Sequence, residues 1–308
     1  MATFLTANLG AIDRDASQLY AIKKAARQLS VSYGALAAVV HVESGGRSFA
    51  MVNGRPEPLI RFEGHYFHRL LSTSLRSQAV QSGLASSRAG DIRNPRTQAN
   101  RWRLLRRARD IDRSAADQSV SWGIGQVMGA NWKMLGYSSV AALVADARSG
   151  FDGQLRLMTR FIVQRDLLPH LRAADFAAFA RVYNGPAYAK HGYHTRMEAA
   201  FRRFSGTYLP SHQRDWLGLG DFGPQVQELQ KELRAAGEMI AIDGDFGPDT
   251  HRAVVRFQAR SKLPVDGMAG PATRAALLAY LPVPQTQPNG LQLFRRFTQN
   301  LGRALQSS

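Results

Sequence analysis

The chain has 308 residues, no cysteine and a formal net charge of +17. This length is typical of about two domains, and the lack of cysteine excludes a disulfide framework, a cysteine-ligated metal site and a thiol nucleophile. The positive charge favours an anionic partner, such as nucleic acid, an anionic membrane face or an anionic polysaccharide, without choosing among them.

The charge is unevenly distributed. Residues 1–207 hold 29 basic and 14 acidic side chains, a net of +15, whereas residues 208–308 hold 11 and 9, a net of +2. This difference predicts a domain boundary near residue 207. The apolar runs are far shorter than the ~18 residues needed to cross a bilayer, and the first twenty residues lack the apolar stretch of a secretory signal.

The first 207 residues have mainly helical patterning. Apolar residues at helical spacing predict helices over Asp15–Leu29 and Ser32–Val42. The stretch from Phe49 to Phe62 differs, because Asn53-Gly54 separates two short apolar runs and is a hairpin signal. The two prolines of the second run argue against a tight two-residue hairpin. We therefore expect a short, irregular β element inside an α domain.

An arginine-rich run extends from Arg88 to Arg113 and holds nine arginines, with Trp102 among them. Such a run permits a nucleic-acid interface. A solvated basic helix face is the commoner explanation and the one we favour.

The C-terminal part contains a repeat. Gly220–Pro224 and Gly244–Pro248 are both Gly-Asp-Phe-Gly-Pro, and Gly267–Pro271 is a weaker third copy. Each copy predicts a turn that leads into a helix, since glycine allows positive φ and proline suits the first helical position. Apolar residues follow each copy at helical spacing. The sequence therefore predicts a mainly α protein: a helical domain with a small β element, then a small three-helix domain over residues 218–283.

Two connecting segments flank this module. Residues 208–217 have the composition of a linker. After three prolines, residues 289–308 place Leu291, Phe294, Leu301 and Leu305 close to one helical face, among arginines. This basic amphipathic segment is a candidate to bind anionic outer-membrane lipid, and docking on its own domain is the alternative.

Glu43 is the most informative carboxylate. It shares a helix face with the apolar residues Leu36, Val39 and Val40, and the Ser-Gly-Gly that follows it is expected to end the helix. Burial and the negative end of the helix dipole both favour a protonated carboxyl near neutral pH, which a general acid requires. A structural glutamate paired with a nearby arginine is the alternative.

Glycoside hydrolysis often uses a second carboxylate across the scissile bond. Glu63 is the leading candidate, although its neighbour Arg61 permits a plain ion pair. His65 is a candidate to orient a carboxylate or a sugar, and a structural histidine is the alternative. Weaker carboxylate candidates lie in or beside the arginine-rich run: Asp110, Asp112 and Asp117.

Two further segments supply the groups that a sugar site needs. Ser119–Met128 combines small residues with Trp122 and Gln126, and Val182–Pro186 is a turn that carries an aromatic and an amide. Aromatic rings give a flat apolar platform, and amides give directional hydrogen bonds. Each segment alone is more often a packing feature.

Taken in order, these motifs resemble the lysozyme-like superfamily of goose-type lysozymes and lytic transglycosylases. Over residues 15–205 the chain is more similar still to the N-acetylmuramidase domain of phage endolysins. The module at 218–283 resembles a three-helix peptidoglycan-binding domain. The matching segments are Val42–Gly46, Phe62–His65, Ser119–Gly129 and Tyr183–Pro186.

The resemblance implies that Glu43 is the catalytic acid and that Glu63 is a base or a positioning residue. It implies a saccharide groove lined by Ser121, Gln126, Tyr183 and Asn184, and we add His65 as a candidate there. No cofactor or metal is expected.

The preferred hypothesis is a monomeric phage-type endolysin that cleaves the β-1,4 bond between N-acetylmuramic acid and N-acetylglucosamine. Its domains are a catalytic domain at 1–207, a linker at 208–217, a peptidoglycan-binding domain at 218–283 and a basic tail at 284–308. Without a visible signal, we expect it to collect in the host cytoplasm and to reach periplasmic peptidoglycan after a separate membrane lesion. Nucleic acid is not an expected partner.

Three alternatives remain open at the level of sequence. A lytic transglycosylase would use the same Glu43, with the 6-hydroxyl of muramic acid in place of water. A non-catalytic wall-binding protein would need no acid. A nucleic-acid binder rests on charge and the arginine-rich run alone.

Overall fold

The structure is a computed structural model that describes residues 16–45, 47–206 and 215–281. Most of the predicted linker and the whole predicted tail lie outside these residues. The chain divides into two compact units. The first runs to residue 221 and also takes in 246–248, and the second takes 222–245 and continues from 249.

The first unit is mainly helical, as predicted. Its helices within the described residues are α1 (Ala16–Gln28), α2 (Tyr33–Ser44), α3 (Gly64–Leu70), α4 (Thr73–Gln81), α5 (Gln98–Arg109), α6 (Arg113–Gln118), α7 (Val140–Arg148), α8 (Phe151–Gln164), α9 (Leu168–Arg172), α10 (Phe176–Tyr183) and α11 (Tyr193–Gly206). Its strands are β1 (Phe49–Val52), β2 (Arg55–Pro58), β3 (Ile60–Phe62), β4 (Val120–Trp122) and β5 (Val127–Met128).

Helix α2 forms the centre of one hydrophobic core. The hydroxyl of Ser32 caps its start by accepting from the backbone N–H of Ala35 at 3.2 Å. Every residue from Gly34 to Val40 is buried, because α1, α9 and α11 pack around the helix. Gly45 ends it with a φ of 59°, the left-handed conformation that glycine adopts at helix C-termini.

Strands β1 and β2 form a tight two-residue hairpin, so the expectation of an irregular one was wrong. Asn53 and Gly54 have φ of 50° and 76°, which suits a type I′ turn. The pair that closes such a turn is hydrogen-bonded, and bonded and non-bonded pairs then alternate. Both prolines fall at non-bonded positions, where a missing N–H costs nothing: Pro56 opposite Met51 and Pro58 opposite Phe49.

Strands β3, β4 and β5 form a small antiparallel sheet behind which the second core lies. Ile60, Phe62 and Trp122 are fully buried on its inner face. Helix α5 packs against β3, with Trp102 donating its indole N–H to the Pro58 carbonyl at 3.1 Å. The register opposes Arg61 to Ser121 and Ser121 to Met128.

Helix α5 carries much of the arginine-rich run. Its inner face buries Trp102, Leu105 and Ala108, and its outer face exposes Arg103 and Arg106. The predicted solvated basic face is therefore present.

The second unit contains the predicted three helices within its described residues: α12 (Pro224–Ala235), α13 (Pro248–Arg260) and α14 (Pro271–Leu278). Each starts at the proline of one repeat copy, in the position where a proline loses no helical hydrogen bond. Val226, Val254 and Phe257 are fully buried, as the helical spacing predicted.

The repeat is held by two buried glutamines in equivalent roles. The Gln230 amide nitrogen donates to Asp243 and Thr250 at 2.7 and 3.1 Å, while its oxygen accepts from the Gly244 N–H at 2.8 Å. Gln258 repeats this pattern with the next turn: it donates to Asp266 and Thr273 at 2.8 and 3.0 Å and accepts from the Gly267 N–H at 2.9 Å. Each glutamine thus fixes the turn that precedes the next helix.

Replacing Gln258 by methionine keeps the volume but removes these bonds. The Gly267 N–H then loses its partner, and Asp266 Oδ1 keeps only the Met268 N–H. We expect the second unit to lose about 3 kcal/mol of unfolding free energy, measured by calorimetry of the full chain. The exposed Gln225 on α12 gives the matched control, since Gln225→Met is expected to change stability by less than about 0.5 kcal/mol. Equal effects of the two substitutions would contradict the assigned role.

Candidate active site

Glu43 lies in the last turn of α2, where the sequence predicted it. The Ser44 hydroxyl bonds back to the Val40 carbonyl at 2.7 Å, and the helix ends at Gly45. Glu43 therefore lies at the negative end of the helix dipole, which disfavours a charged carboxylate.

Within the described residues, Glu43 has one amide partner and one charged neighbour that favours its ionised form. The Asn184 side-chain nitrogen donates to Glu43 Oε1 at 2.8 Å, and Arg196 of α11 interacts with the carboxylate through its charge. Burial is the strongest influence and raises the pKa of Glu43 from 4.5 to about 7, although the amide bond and Arg196 both act to lower it. Near neutral pH the carboxyl can therefore give up or take a proton.

Asn184 is itself held by the end of α10. Its backbone N–H donates to the Ala180 carbonyl at 2.8 Å, so the side chain leaves the helix in a fixed direction. Asn184 Oδ1 is buried and has no hydrogen-bond partner within the described structure. A buried amide oxygen without a partner is a place for a ligand donor to bind.

Tyr183 joins α10 to the loop at residues 123–126. Its hydroxyl donates to the Gly125 carbonyl at 2.7 Å, and its ring stacks on Phe179 and meets the edge of Phe161, each at 5.2 Å between centroids. Burial, together with the negative charge of Glu43, raises the pKa of Tyr183 well above its usual value. Tyr183 therefore stays a neutral hydrogen-bond donor beside the acid.

Ser121 and Gln126 form one polar group at the edge of the sheet. The Ser121 hydroxyl lies 3.0 Å from Gln126 Oε1, and Gln126 Nε2 donates to the Gly123 carbonyl at 2.8 Å. Gln126 has a φ of 47°, a conformation that is uncommon outside glycine. The loop thus bends so that Gln126 returns to Ser121.

Gln154 of α8 packs against this loop and bonds its backbone. Its side chain is buried, and Oε1 accepts from the Ile124 N–H at 3.0 Å. A Cβ at Gly123 would lie 2.8 Å from Gln154 Cγ, so only glycine fits there. Sequence reasoning missed Gln154 and Arg196, because each reaches the site from a distant helix and lies in no local motif.

Glu63 lies directly after β3, and its side chain is 22% exposed. Glu63 Oε1 accepts from Arg61 Nε at 2.8 Å, and Oε2 lies 3.6 Å from His65 Nδ1. His65 Nδ1 is buried without a hydrogen-bond partner within the described structure. The ion pair permitted by the sequence is thus formed.

Two of the three weaker carboxylate candidates have structural partners. Asp112 caps α6 by accepting from the Ala115 N–H at 2.8 Å. Asp117 is buried and accepts from Arg109 Nε at 2.7 Å. Asp110, the third candidate, is exposed.

No group of three carboxylate or imidazole side chains that could hold a metal ion is present among residues 16–45, 47–206 and 215–281. Within the same ranges, no helix is both long enough and apolar enough to cross a membrane.

The fold and site define a class: a lysozyme-like helical domain, with a buried carboxylic acid at a helix end, combined with a three-helix module. The family model for N-acetylmuramidase matches residues 32–205, more than half of the chain. The chain therefore belongs to the N-acetylmuramidase family. A peptidoglycan binding domain model matches residues 222–277, nearly all of which lie in the second unit.

Among solved structures, a Burkholderia AP3 phage endolysin is similar to this chain. It is 34% identical with a TM-score of 0.54, and the match covers 60% of this chain and 70% of that one. This likeness supports the lysozyme-like fold.

Two curated proteins match shorter segments. A zinc D-Ala-D-Ala carboxypeptidase of Streptomyces albus G is 47% identical over 60 residues, which are 18% of this chain and 24% of that protein. The N-acetylmuramoyl-L-alanine amidase CwlL of Bacillus licheniformis is 43% identical over 63 residues, which are 20% and 18%. The chain spans a quarter or less of the length of these curated relatives, so their own activities are not carried over.

The raised pKa of Glu43 has a consequence for stability. The Glu43 carboxyl ionises less readily in the folded protein than in the unfolded chain. The free energy of unfolding therefore falls as pH rises from 4.5 to about 7, and it has lost this full contribution above pH 7. Glu43→Gln, which stays neutral, is therefore expected to melt higher than wild type at pH 8.

Allowing for partial exposure of the side chain, we expect a gain of about 1 kcal/mol, or roughly 2–4 °C. At pH 4 the gain is expected to disappear. Thermal melts of both proteins at the two pH values make the test, and an equal difference at pH 4 and pH 8 would contradict the burial of Glu43.

Proposed function

We propose that this protein hydrolyses peptidoglycan at the β-1,4 bond between N-acetylmuramic acid and N-acetylglucosamine, with Glu43 as the general acid. The observation that carries the proposal is the largely buried Glu43 carboxyl, whose pKa is raised to about 7 and which bonds Asn184 at 2.8 Å. An acid that is half protonated near neutral pH is matched to protonating a glycosidic oxygen.

In this mechanism Glu43 donates its proton to the glycosidic oxygen while the bond from that oxygen to the muramic C1 breaks. Oxocarbenium character develops at C1. The new Glu43 carboxylate is stabilised by Asn184 and by the charge of Arg196. Water then adds to C1, and in our proposal Glu63 accepts its proton, so that the product has a reducing muramic end.

The saccharide is proposed to bind between Glu43 and the sheet edge. Ser121, Gln126, Tyr183 and Asn184 are the proposed lining residues, and His65 is added from the Glu63 side. The loop that carries Gln126 is tied to Tyr183 through Gly125 at 2.7 Å, which supports one rigid groove wall. Asn184 Oδ1, which has no hydrogen-bond partner within the described structure, can accept from an N–H or O–H of the sugar.

The wider role that we propose is host-cell lysis by a monomeric endolysin. The catalytic domain would span 1–207, and a linker at 208–217 would lead to the wall-binding domain at 218–283. Retention on the wall raises the local concentration of bonds to cleave without new chemistry. The protein would act in the periplasm after release from the host cytoplasm. In the tail at 284–308, residues 289–308 are proposed to contact anionic outer-membrane lipid.

One observation favours a second candidate, a lytic transglycosylase. Glu63 is already ion-paired with Arg61 at 2.8 Å, which makes it less available as a base. If Glu63 is purely structural, the 6-hydroxyl of muramic acid would replace water and yield 1,6-anhydro ends.

Digestion of purified peptidoglycan, with products identified by mass spectrometry, separates these candidates. The proposal expects reducing N-acetylmuramic ends from wild type and a loss of activity of at least about 100-fold in Glu43→Gln. Glu63→Gln is expected to lower the rate. Asp110→Asn, at an exposed carboxylate of the same domain, is the matched control and is expected to keep the rate.

Products lighter by one water would assign the transglycosylase reaction and return Glu63 to a structural role. Full activity in Glu43→Gln would refute the proposed acid. Absence of cleavage by wild type would leave a wall-binding protein without catalytic activity.

A further inference from the structure

Arg101 interacts through its charge with two arginines from other segments of the first unit, Arg47 and Arg61. Arg47 follows the end of α2, and its backbone N–H donates to the Ser44 carbonyl at 3.2 Å. Arg61 lies in β3 and Arg101 lies in α5. We call Arg47, Arg61 and Arg101 the arginine cluster.

The sheet register sets the direction of Arg61. Residues directly opposite each other in an antiparallel pair project from the same face, so Arg61 shares a face with Ser121, its partner in β4. This is the face on which Ser121 bonds Gln126, and the other face is buried in the core. Arg61 is 60% exposed and therefore accessible to a ligand in the groove.

Arg101 is fixed in place by backbone carbonyls. Its Nη1 donates to the Ile60 carbonyl at 3.0 Å and its Nε to the Pro95 carbonyl at 2.9 Å. Burial lowers the pKa of Arg101, and the charges of Arg61 and Arg47 lower it further. Arg47 and Arg61 thus each lie close enough to Arg101 to repel its charge.

Little negative charge compensates this repulsion. Within the described structure, Glu63 is the one carboxylate that forms an ion pair with any member of the cluster, and it does so through Arg61. Arg47 is exposed and Arg101 is held by neutral carbonyls. A guanidinium group binds a carboxylate through paired hydrogen bonds, so an anionic group of this kind fits the cluster.

We propose that the arginine cluster binds a carboxylate of the peptide stem that a muramic acid residue carries near the cleaved bond. This inference rests on the proposed function, because it assumes that the glycan lies in the groove beside Glu43. The sugar rings of a stem-bearing strand are uncharged, whereas the free carboxylates belong to the stem. The cluster would then make the enzyme prefer strands whose stems are present and charged.

Arg47→Gln is the variant that tests this proposal, since Arg61 holds Glu63 and Arg101 holds the β3 backbone. Arg165→Gln, at an exposed arginine after α8, makes the same charge change elsewhere and serves as the control. The substrates are purified sacculi and the same sacculi with their carboxylates converted to amides.

For wild type and the control we expect kcat/KM to be about three- to tenfold higher on untreated than on amidated sacculi. In Arg47→Gln this ratio is expected to fall toward one, through KM rather than kcat. An unchanged ratio in Arg47→Gln, or no preference in wild type, would overturn the proposal. A third substrate is glycan strands from which an amidase has removed the stems, so that the lactyl group is the remaining carboxylate. If Arg47→Gln lowers kcat/KM on these strands as much as on untreated sacculi, the carboxylate bound by the cluster is not one of the stem.

A binding measurement tests the arginine cluster without requiring catalysis. The Kd of a stem-bearing tetrasaccharide is measured by calorimetry for Glu43→Gln and for the double variant Glu43→Gln/Arg47→Gln. We expect the double variant to bind about three- to tenfold more weakly, because it loses about one ion pair. If wild type fails to cleave sacculi while this difference holds, the proposed function fails and the arginine cluster stands. If cleavage occurs and the difference is absent, only the cluster proposal fails.

Discussion

The site depends on the burial of one carboxyl at the end of a buried helix. The surroundings of Glu43 disfavour its charge, while a single amide hydrogen bond and the more distant Arg196 favour it. These opposing effects leave the pKa near 7 instead of 4.5. Without the buried helix the carboxyl would be hydrated and ionised. Without Asn184 its ionised form would lose the one hydrogen-bond donor that it has within the described structure.

Helices α8 and α10 hold in place the groups that surround that carboxyl. Helix α10 ends at Asn184, so its backbone fixes the amide that reaches Glu43. Tyr183, one residue earlier, fixes the loop of Gln126 through Gly125, and Gln154 supports the same loop from α8. The end of α10 therefore links the two sides of the proposed groove. Asn184 bonds Glu43 on one side, and Tyr183 bonds Gly125 in the Gln126 loop on the other.

Local features could be predicted from the sequence because their causes are local. Glu43 at a glycine-terminated helix end and the Gly-Pro starts of the three C-terminal helices follow from spacing and turn chemistry. The tight hairpin was missed because the hydrogen-bonding register, which decides whether a proline is tolerated, is not visible in composition. Gln154 and Arg101 were missed since their roles come from tertiary contacts with backbone groups at Ile124 and Ile60.

The pH dependence of kcat/KM on peptidoglycan, for wild type and Asn184→Ala, tests the central claim most directly. An acid that must be protonated loses activity as pH rises through its pKa, so wild type is predicted to show an alkaline limb at about pH 7. The Asn184 bond stabilises the charged carboxylate, so its removal is predicted to move that limb to higher pH. An alkaline limb that stays at the same pH in Asn184→Ala, or that is absent up to about pH 9, far above the usual range of a carboxyl, would contradict the account.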